Sequence, residues 1–515
     1  MHNTDQSLIN VLKAAVYDVN LKELGKVDAE TKISELGLDS VALMELIGIL
    51  EEKLSLRIAD EEVASLSTVG DLLNLIRNRI PSGLPAQDET GSPRSSTAEP
   101  ALPRSPEFWD IASFPEVKKL EERILEIGRN GLRNPYFQVH DGTARNRSTI
   151  GGIEMLNFSS YNYLGFSGHP EVIAAAKEAI DRYGTSVSAS RLVSGERPIH
   201  QELERGLAAH IGVEDAVVFV SGHATNVTTI GHLFDENDLI IHDALCHDSI
   251  LQGIFLSGAK RRSFAHGDTN ELERTLAQVR NQYRRVLLCT EGIFSMDGDI
   301  CDLPRLVALK KLYQCNLIVD EAHSIGVLGP SGRGIAHHFP GIDPADVDLW
   351  MGTLSKSFAS CGGYIAGNKP LIQYLRFTAP GFLYSVGMSP ANAAAALKSL
   401  QLMHRHPEIV EQLRQRSKLF LELARGKGIN TGYSVGAAVV PAIIGNSIQS
   451  MKLSQALAER RINVQPIVHP AVEENAARLR FFISATHTEE EIRHVVEVLA
   501  EEITKNRIGA QSALQ

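Results

Sequence analysis

The chain has 515 residues, more than a single hydrophobic core usually serves, and we therefore expect two or more domains. Its 51 basic and 62 acidic residues leave a net charge of −11, which argues against nucleic acid as the main partner, because phosphate binding requires basic surfaces. The absence of a signal-peptide core and of a membrane-spanning apolar run, together with five dispersed cysteines in no metal-binding spacing, predicts a cytoplasmic protein without a metal site.

Residues 1–80 carry the apolar periodicity of a small all-α bundle. Apolar side chains at helical spacing begin near Leu8, a strongly apolar helix is predicted to start at Ser40, and another follows Thr68. The segment is acidic, with 8 basic and 14 acidic residues. Residues 81–105 are then dominated by Pro, Gly, Ser and Thr, which predicts a flexible linker, because such a composition buries too little apolar surface to fold.

From residue 106 onward, apolar β-rich runs alternate with helical patterns, which predicts an α/β fold with a mostly parallel sheet. The predicted strands are Ala216–Val220, Leu239–Ile241, Val286–Leu288, Leu317–Val319 and Tyr364–Ala366. Beyond residue 390 the pattern changes to an alanine-rich helix and then to a strand pair, Ala437–Ile444 and Leu479–Ser484. We therefore expect an N-terminal segment and large domain over 106–390 and a smaller α+β domain over 391–515.

Two segments of the large domain carry residues suited to one cofactor. Asp320 ends the buried-looking run Leu317–Val319, His323 follows three residues later, and Lys356 comes after a second apolar run. Enzymes hold pyridoxal 5'-phosphate with such a set, in which lysine forms a Schiff base, a carboxylate pairs with the pyridinium nitrogen and histidine contacts the ring hydroxyl. Small residues around Lys356 leave room for a flat ring, although a surface lysine and a helix-capping aspartate are the alternative interpretations.

The segment Ser221–Asn226 follows a predicted strand and opens a predicted helix. Gly222 permits close approach of the backbone, and a helix N-terminus favours a phosphate group. We expect this turn to bind the cofactor phosphate together with the hydroxyl of Thr353.

The sequence Leu36–Ser40, followed by Leu43 and Leu46, resembles the attachment site of acyl carrier proteins, and the resemblance covers nearly all of residues 1–80. It implies that Ser40 carries a 4'-phosphopantetheine arm. A phosphopantetheinyl transferase and an acyl-loading enzyme are the partners that such an arm requires. The alternative interpretation of Ser40 is an ordinary N-cap residue at the start of a helix.

The body from about residue 106 to 505 resembles the α-oxoamine synthase family of fold type I pyridoxal phosphate enzymes. In addition to the two cofactor segments, the motifs that carry the resemblance are Asn157–Gly165, Ser190–Gly195, Glu291–Gly298 and Arg478–Arg480. The resemblance implies a fold type I transferase and a homodimer.

The same resemblance implies roles for residues around the cofactor. His247 is expected to stack on the ring, and Ser295 is expected to support the contact made by His323. His223 stands where the family usually has an aromatic residue. Ser385 matches a segment that reaches the phosphate in the partner subunit, although Val386 replaces the usual threonine of that segment.

Three further residues are expected to bind substrate. Arg480, in preference to Arg478, is the candidate for the amino acid carboxylate, since a guanidinium binds a carboxylate in a two-pronged fork. Asn162 is expected to assist this contact. Arg133 stands where the family can contact the acyl substrate.

Together these features predict a decarboxylative Claisen-type condensation of a small amino acid with an acyl thioester, delivered on the arm of Ser40, to give an α-amino ketone. An aminotransferase or decarboxylase with a fused carrier would use the same lysine, aspartate and arginine. A carrier fused to a degenerate, non-enzymatic scaffold is the other alternative. The identities of the amino acid and of the acyl chain are left open.

Overall fold

The computed structural model describes residues 105–512, with side chains through residue 505, and parts of the N-terminal region, namely residues 9, 11–13, 16, 27–33, 46, 47, 50 and 68–79. Ser40 lies outside the described residues, and so does the predicted linker up to residue 104. The chain separates into two compact units, Met1–Arg104 and Ser105–Gln515, and each is described by itself.

The N-terminal unit contains helix α1 (Val69–Arg79), which confirms the helix predicted after Thr68. Asp71 accepts hydrogen bonds from the backbone N–H and the hydroxyl of Thr68, and these bonds cap the first turn of α1. One face of α1 enters an apolar cluster with residues from three earlier segments. The buried members of that cluster are Ile9, Leu12, Val16, Ile33, Leu46, Ile47, Leu50, Val69, Leu72, Leu73 and Ile76.

A seven-stranded sheet forms the centre of the second unit, in the order β4-β10-β9-β8-β7-β5-β6. Strand β10 runs antiparallel to β4 and β9, and the remaining pairs are parallel, which confirms the predicted mostly parallel sheet. The strands of the second unit are β1 (His140–Asp141), β2 (Arg147–Ile150), β3 (Ile153–Asn157), β4 (Asp215–Phe219), β5 (Leu239–Asp243), β6 (Lys260–Phe264), β7 (Val286–Glu291), β8 (Asn316–Asp320), β9 (Leu349–Thr353), β10 (Gly363–Gly367), β11 (Val439–Ile443), β12 (Ile462–Asn463), β13 (Pro466–Ile467) and β14 (Arg478–Phe482).

Helices cover both faces of this sheet. Leu317 and Val319 belong to one apolar cluster and Ile318 to another, so alternate residues of β8 pack into cores on opposite sides. Burial on both faces explains why the central strands are continuously apolar in sequence. The α-helices are α2 (Pro115–Arg129), α3 (Pro170–Tyr183), α4 (Pro198–Ile211), α5 (Gly222–Leu233), α6 (Asp248–Ser257), α7 (Thr269–Val279), α8 (Leu303–Tyr313), α9 (Lys369–Thr378), α10 (Pro380–Leu383), α11 (Pro390–Arg405), α12 (Glu408–Gly426), α13 (Ser447–Glu459) and α14 (Glu489–Ser512). Short helical turns occur at Pro106–Phe108, Ile111–Ser113, Arg191–Gly195, Arg280–Gln282, Pro330–Gly332, Ala336–His338, Pro344–Asp346 and Glu474–Ala476.

A smaller α+β core lies toward the C-terminus, where β11 pairs antiparallel with β14 as predicted from the sequence. The N-terminal strands join this part, because β12 pairs in parallel with β3. Helix α11 instead buries Ala393, Leu400 and Met403 in the larger core. We therefore propose to place the limit of the small domain inside α12 rather than at residue 390.

Candidate active site

A pocket of about 80 Å³ opens at the carboxyl ends of the parallel strands, where open α/β sheets bind ligands. It brings together seven of the residues predicted from the sequence, namely Gly222, His223, His247, Asp320, His323, Thr353 and Lys356. Four further residues line it, namely Ser249, Glu291, Ala322 and Met351. Residues separated by up to 134 positions in the chain therefore share one cavity, because each follows or ends a strand of the same sheet.

Lys356 lies in the turn between β9 and β10. Burial lowers the pKa of its amine to about 8, although Asp320 and Glu291 act in the opposite direction. The Nζ atom lies 5.8 Å from the centre of the Tyr161 ring. With that pKa about a tenth of the amine is neutral at pH 7, and the neutral amine is the form that bonds covalently to an aldehyde.

Asp320 ends β8 and is only 4% exposed. Its Oδ2 accepts a hydrogen bond of 2.8 Å from Nδ2 of Asn226, and its Oδ1 accepts one of 2.8 Å from the backbone N–H of Ala322. The carboxylate is therefore fixed at the pocket wall before any ligand binds. The role of Asn226 was not predicted from the sequence, although this residue lies one helical turn after Gly222 and hence on the same face of α5.

A chain of hydrogen bonds joins this amide to His247. The other proton of Asn226 Nδ2 is directed to Oγ of Ser249 at 2.9 Å, and that hydroxyl lies 2.8 Å from Nδ1 of His247. The backbone N–H of Ser249 also donates to Nδ1 at 3.2 Å, so the proton of a neutral ring is on Nε2. Burial lowers the pKa of His247, which favours this neutral form.

Glu291 contacts the backbone of the same histidine. Its Oε1 accepts a hydrogen bond of 2.6 Å from the backbone N–H of His247. Burial raises the pKa of Glu291 well above its ordinary value, so the carboxyl group favours its neutral form. The contact of Glu291 with His247 was not predicted, because nothing in the sequence spacing places the two residues side by side.

His323 is 5% exposed, and its Nδ1 lies 2.7 Å from the hydroxyl of Tyr163. Burial lowers the pKa of His323 well below its ordinary value. Its ring is nearly parallel to that of Phe482, with the centroids 6.3 Å apart. Ser295 is buried but does not line the pocket, and its predicted support of His323 stays a prediction.

The start of α5 forms a cradle for a phosphate. A Cβ atom at Gly222 would come within 2.7 Å of Oγ1 of Thr353, and one at Gly363 would come within 2.8 Å of the Cα of Gly222. These positions therefore need glycine, and the close packing brings the Thr353 hydroxyl next to the first turn of α5. The hydroxyl of Ser221 caps the backbone N–H of Ala224, and the first N–H groups of α5, with the helix dipole, suit an anion.

His223 and Ser385 have less defined positions around the cradle. The His223 ring is exposed, with its centroid 6.5 Å from that of His247 and the two rings inclined at 78°. Ser385 does not line the pocket, and its hydroxyl donates to the carbonyl of Val386 at 3.3 Å. A contact of Ser385 with a partner subunit stays a prediction.

Arg478 and Arg480 differ in whether a carboxylate neutralises them. Arg478 forms an ion pair of 2.7 Å with Asp297. Arg480 donates to the carbonyl of Ser295 at 3.0 Å, and its buried Nε has no hydrogen-bond partner. Within the part of the chain that the structure describes, no carboxylate forms an ion pair with Arg480. Its charge lowers the pKa of both Lys356 and His323, as expected of a neighbour of the pocket.

Asn162 and Arg133 do not line the pocket that contains Lys356. The Nδ2 of Asn162 donates to the carbonyl of Ala144 at 2.7 Å, and its Oδ1 accepts from the backbone N–H of Ser167 at 3.1 Å. This amide holds a backbone turn, and its expected role in carboxylate binding stays a prediction. Arg133 was expected to contact the acyl substrate, and that role also stays a prediction. Arg133 is exposed and lines a separate groove that also contains Gln455.

The described residues fit pyridoxal phosphate. They offer an amine with a lowered pKa, a fixed carboxylate across from it, and a glycine cradle at a helix N-terminus next to a hydroxyl. In contrast, no group of three or more His, Cys, Asp or Glu side chains in the described regions could hold a metal ion. Across those regions, no helix is long and apolar enough to cross a membrane.

Comparisons with known proteins agree with this chemistry. Residues 153–499 match the family described as "Aminotransferase class I and II", and residues 10–76 match "Phosphopantetheine attachment site". An 8-amino-7-oxononanoate synthase of Treponema denticola is 38% identical over 388 residues, which cover 75% of this chain and 97% of the relative. The same enzyme of Symbiobacterium thermophilum is 39% identical over 381 residues, covering 74% and 96%. A solved structure of serine palmitoyltransferase from Sphingomonas wittichii superposes with a TM-score of 0.73 at 29% identity, covering 78% of this chain and 99% of that one.

Proposed function

The chain belongs to the class I and II aminotransferase family, in its α-oxoamine synthase branch, and on that premise we propose that it condenses a small amino acid with an acyl thioester to release carbon dioxide and an α-amino ketone. It is a pyridoxal phosphate-dependent C-acyltransferase with a phosphopantetheine attachment region. The observation that carries the proposal is one pocket that contains Lys356, Asp320, His323 and His247, with the unneutralised Arg480 beside it.

We propose the following division of work among the side chains. When bound, pyridoxal phosphate supplies a conjugated ring that accepts electron density from the α-carbon of the amino acid. Lys356 anchors the cofactor, and its Nζ as a neutral amine can take a proton from that carbon. Asp320, held by Asn226, keeps a proton on the ring nitrogen. Arg480 binds the amino acid carboxylate through the N–H groups that its protein contacts leave available.

His247 is the proposed hydrogen-bond donor to the acyl carbonyl. Its Nδ1 accepts a hydrogen bond from Ser249, so Nε2–H is available to an oxygen in the pocket. The pKa of His247 is lowered by burial, and the neutral ring can therefore donate this hydrogen bond without placing a second cation next to Lys356. This role separates the proposed acyl chemistry from transamination, in which the bound amino acid attacks no acyl carbonyl.

We further propose that the acyl group is carried on Ser40. Support comes from the carrier match over residues 10–76, which includes this serine, and from the linker composition of residues 81–105. A flexible linker of this length maintains a tethered thioester at an effective concentration on the order of millimolar. Delivery within one chain or across a homodimer then needs only weak docking. Loading requires a phosphopantetheinyl transferase and an acyl-loading enzyme.

The proposal is tested by converting the protein to its phosphopantetheinylated form, loading defined acyl groups and adding glycine, alanine or serine. We expect carbon dioxide and an α-amino ketone in equal amounts, and no product from Lys356→Ala. A keto acid without acyl transfer would instead establish an aminotransferase. Ser40→Ala should retain the cofactor but lose use of the loaded carrier. Two results together would refute delivery on Ser40. The phosphopantetheinylated protein would not use its loaded acyl group, and Ser40→Ala and the unmodified protein would turn over acyl-coenzyme A at equal rates.

A further inference from the structure

His266 lies outside the pocket, in the turn between β6 and α7, and contacts two carboxylates at once. Its Nδ1 lies 2.9 Å from Oδ1 of Asp243, and its Nε2 lies 2.9 Å from Oδ2 of Asp299. A carboxylate oxygen only accepts hydrogen bonds, so both ring nitrogens must carry protons and the ring is an imidazolium. The two ion pairs raise the pKa of His266 to about 10.

Asp243 connects His266 to the loop before His247. It ends β5 and is 2% exposed. Its Oδ1 also accepts a hydrogen bond of 2.9 Å from the backbone N–H of Leu245. Its backbone carbonyl accepts one of 3.1 Å from the backbone N–H of Cys246. The next residue is His247, so the conformation of this turn sets where the His247 ring stands.

Asp299 connects His266 to the loop after β7. Its carbonyl accepts from the backbone N–H of Phe294 at 3.0 Å, which closes the turn that carries Ser295 and Met296. Arg480 donates to the Ser295 carbonyl and contacts the Met296 sulfur at 3.3 Å. The Phe294 ring also packs edge-on against His266, with the centroids 4.5 Å apart.

We propose that His266 is a positioning residue that fixes the His247 loop relative to the loop contacting Arg480. It thereby sets the distance between His247, which contacts the acyl carbonyl, and Arg480, which binds the amino acid carboxylate. This role in catalysis rests on the proposed function, whereas the link between the loops rests on the contacts alone. Neutral side chains at 266 would leave the Asp243 and Asp299 carboxylates without their shared cation. Partly buried carboxylates of like charge repel each other, and the two loops would then separate.

The test compares His266→Asn with a matched control, His210→Asn. His210 is a more deeply buried histidine than His266, but it contacts His404 and the carbonyl of Gly332, and it does not line the pocket. Hydrogen–deuterium exchange of the cofactor-loaded protein should show faster exchange over residues 243–250 and 291–300 in His266→Asn only. Condensation kcat should fall about 10-fold or more in this variant and remain close to wild type in His210→Asn.

A second variant separates the charge effect from loss of packing. Adding Asp299→Asn to His266→Asn removes one of the two repelling carboxylates and should return exchange of the 243–250 segment toward the wild-type rate. Unchanged exchange in both segments of His266→Asn, equal effects in His210→Asn, or no recovery in the double variant would overturn the proposal. Hydrogen–deuterium exchange is measured without substrate and therefore does not depend on the proposed function. If exchange changes in His266→Asn but the wild-type protein forms no amino ketone, the proposed function is refuted and the link between the loops is retained.

Discussion

The contrast between Arg480 and Arg478 gives a sharp prediction. Both arginines lie on β14 two residues apart, and both contact the 295–297 loop. Arg480→Lys retains the positive charge but removes the planar fork. Hydrogen bonds to charged groups contribute about 1.5–3 kcal/mol each, so losing one prong should weaken amino acid binding by about 10- to 150-fold.

The assay is a titration of the cofactor absorbance with the amino acid identified in the substrate screen. Arg480→Lys should show the raised dissociation constant, whereas the absorbance before addition should stay close to that of the wild type. Arg478→Lys is the matched control, because a lysine there can retain the ion pair with Asp297 and should change amino acid affinity little. Comparison of thermal unfolding between the two variants separates a binding effect from a stability effect.

Loss of amino acid affinity in Arg478→Lys, and not in Arg480→Lys, would contradict the assignment of Arg480 to the carboxylate. That result would mean that the Asp297 ion pair opens on ligand binding and that the guanidinium of Arg478 is released to the substrate. Equal affinities in both variants and the wild type would place the carboxylate site on other residues.

Three further predictions concern the cofactor. Because burial lowers the pKa of Lys356 to about 8, attachment of pyridoxal phosphate, fixed with borohydride at pH 7–9, should increase with pH with a midpoint near 8. Asp320→Asn should lower that midpoint, because the Asp320 carboxylate raises the pKa of Lys356. A midpoint that rises in this variant would contradict the assignment. Gly222→Ala should weaken cofactor binding about 10-fold in a fluorescence titration, because the new Cβ would press on Thr353; an unchanged affinity would show that the cradle can widen. Asn226→Ala removes a donor to Asp320 and should lower kcat about 5- to 10-fold, and wild-type kcat would show that Ala322 alone holds the carboxylate.

The central fold was predictable because its strands are buried on both faces. Runs such as Leu317–Val319 and Val286–Leu288 are apolar at every position, which distinguishes them from surface strands. Strand β6 was not predicted, because Lys260–Phe264 forms the edge of the sheet and exposes its first four residues. The joining of β3 to β12 was also not predictable, because that pairing links segments some 300 residues apart through only two residue pairs.

The site was predictable where the chemistry restricts the residue type. An amine, a carboxylate and a glycine turn have few substitutes in a pyridoxal phosphate site, and Lys356, Asp320 and Gly222 line the observed pocket. Ser249 and Glu291 could not be assigned in this way, because they act by orienting His247 and many polar residues could do so. The backbone contacts of Asn162 could not be predicted, because a sequence motif does not reveal that an amide is bonded to backbone.

The balance of charge around the pocket explains how it could accept two anionic groups. Burial lowers the pKa of His323 and His247 and raises that of Glu291, so all three favour their neutral forms near neutral pH. Among the described residues, the charged groups beside the ligand space are the Asp320 carboxylate, the Arg480 guanidinium and the Lys356 amine in its protonated form. In the proposed complex Asp320 faces a protonated ring nitrogen and Arg480 faces an amino acid carboxylate, while the phosphate relies on the N–H groups and dipole of α5. A ligand without a carboxylate would leave a nearly buried guanidinium without a counter-ion, so the same arrangement that binds the amino acid disfavours simple amines.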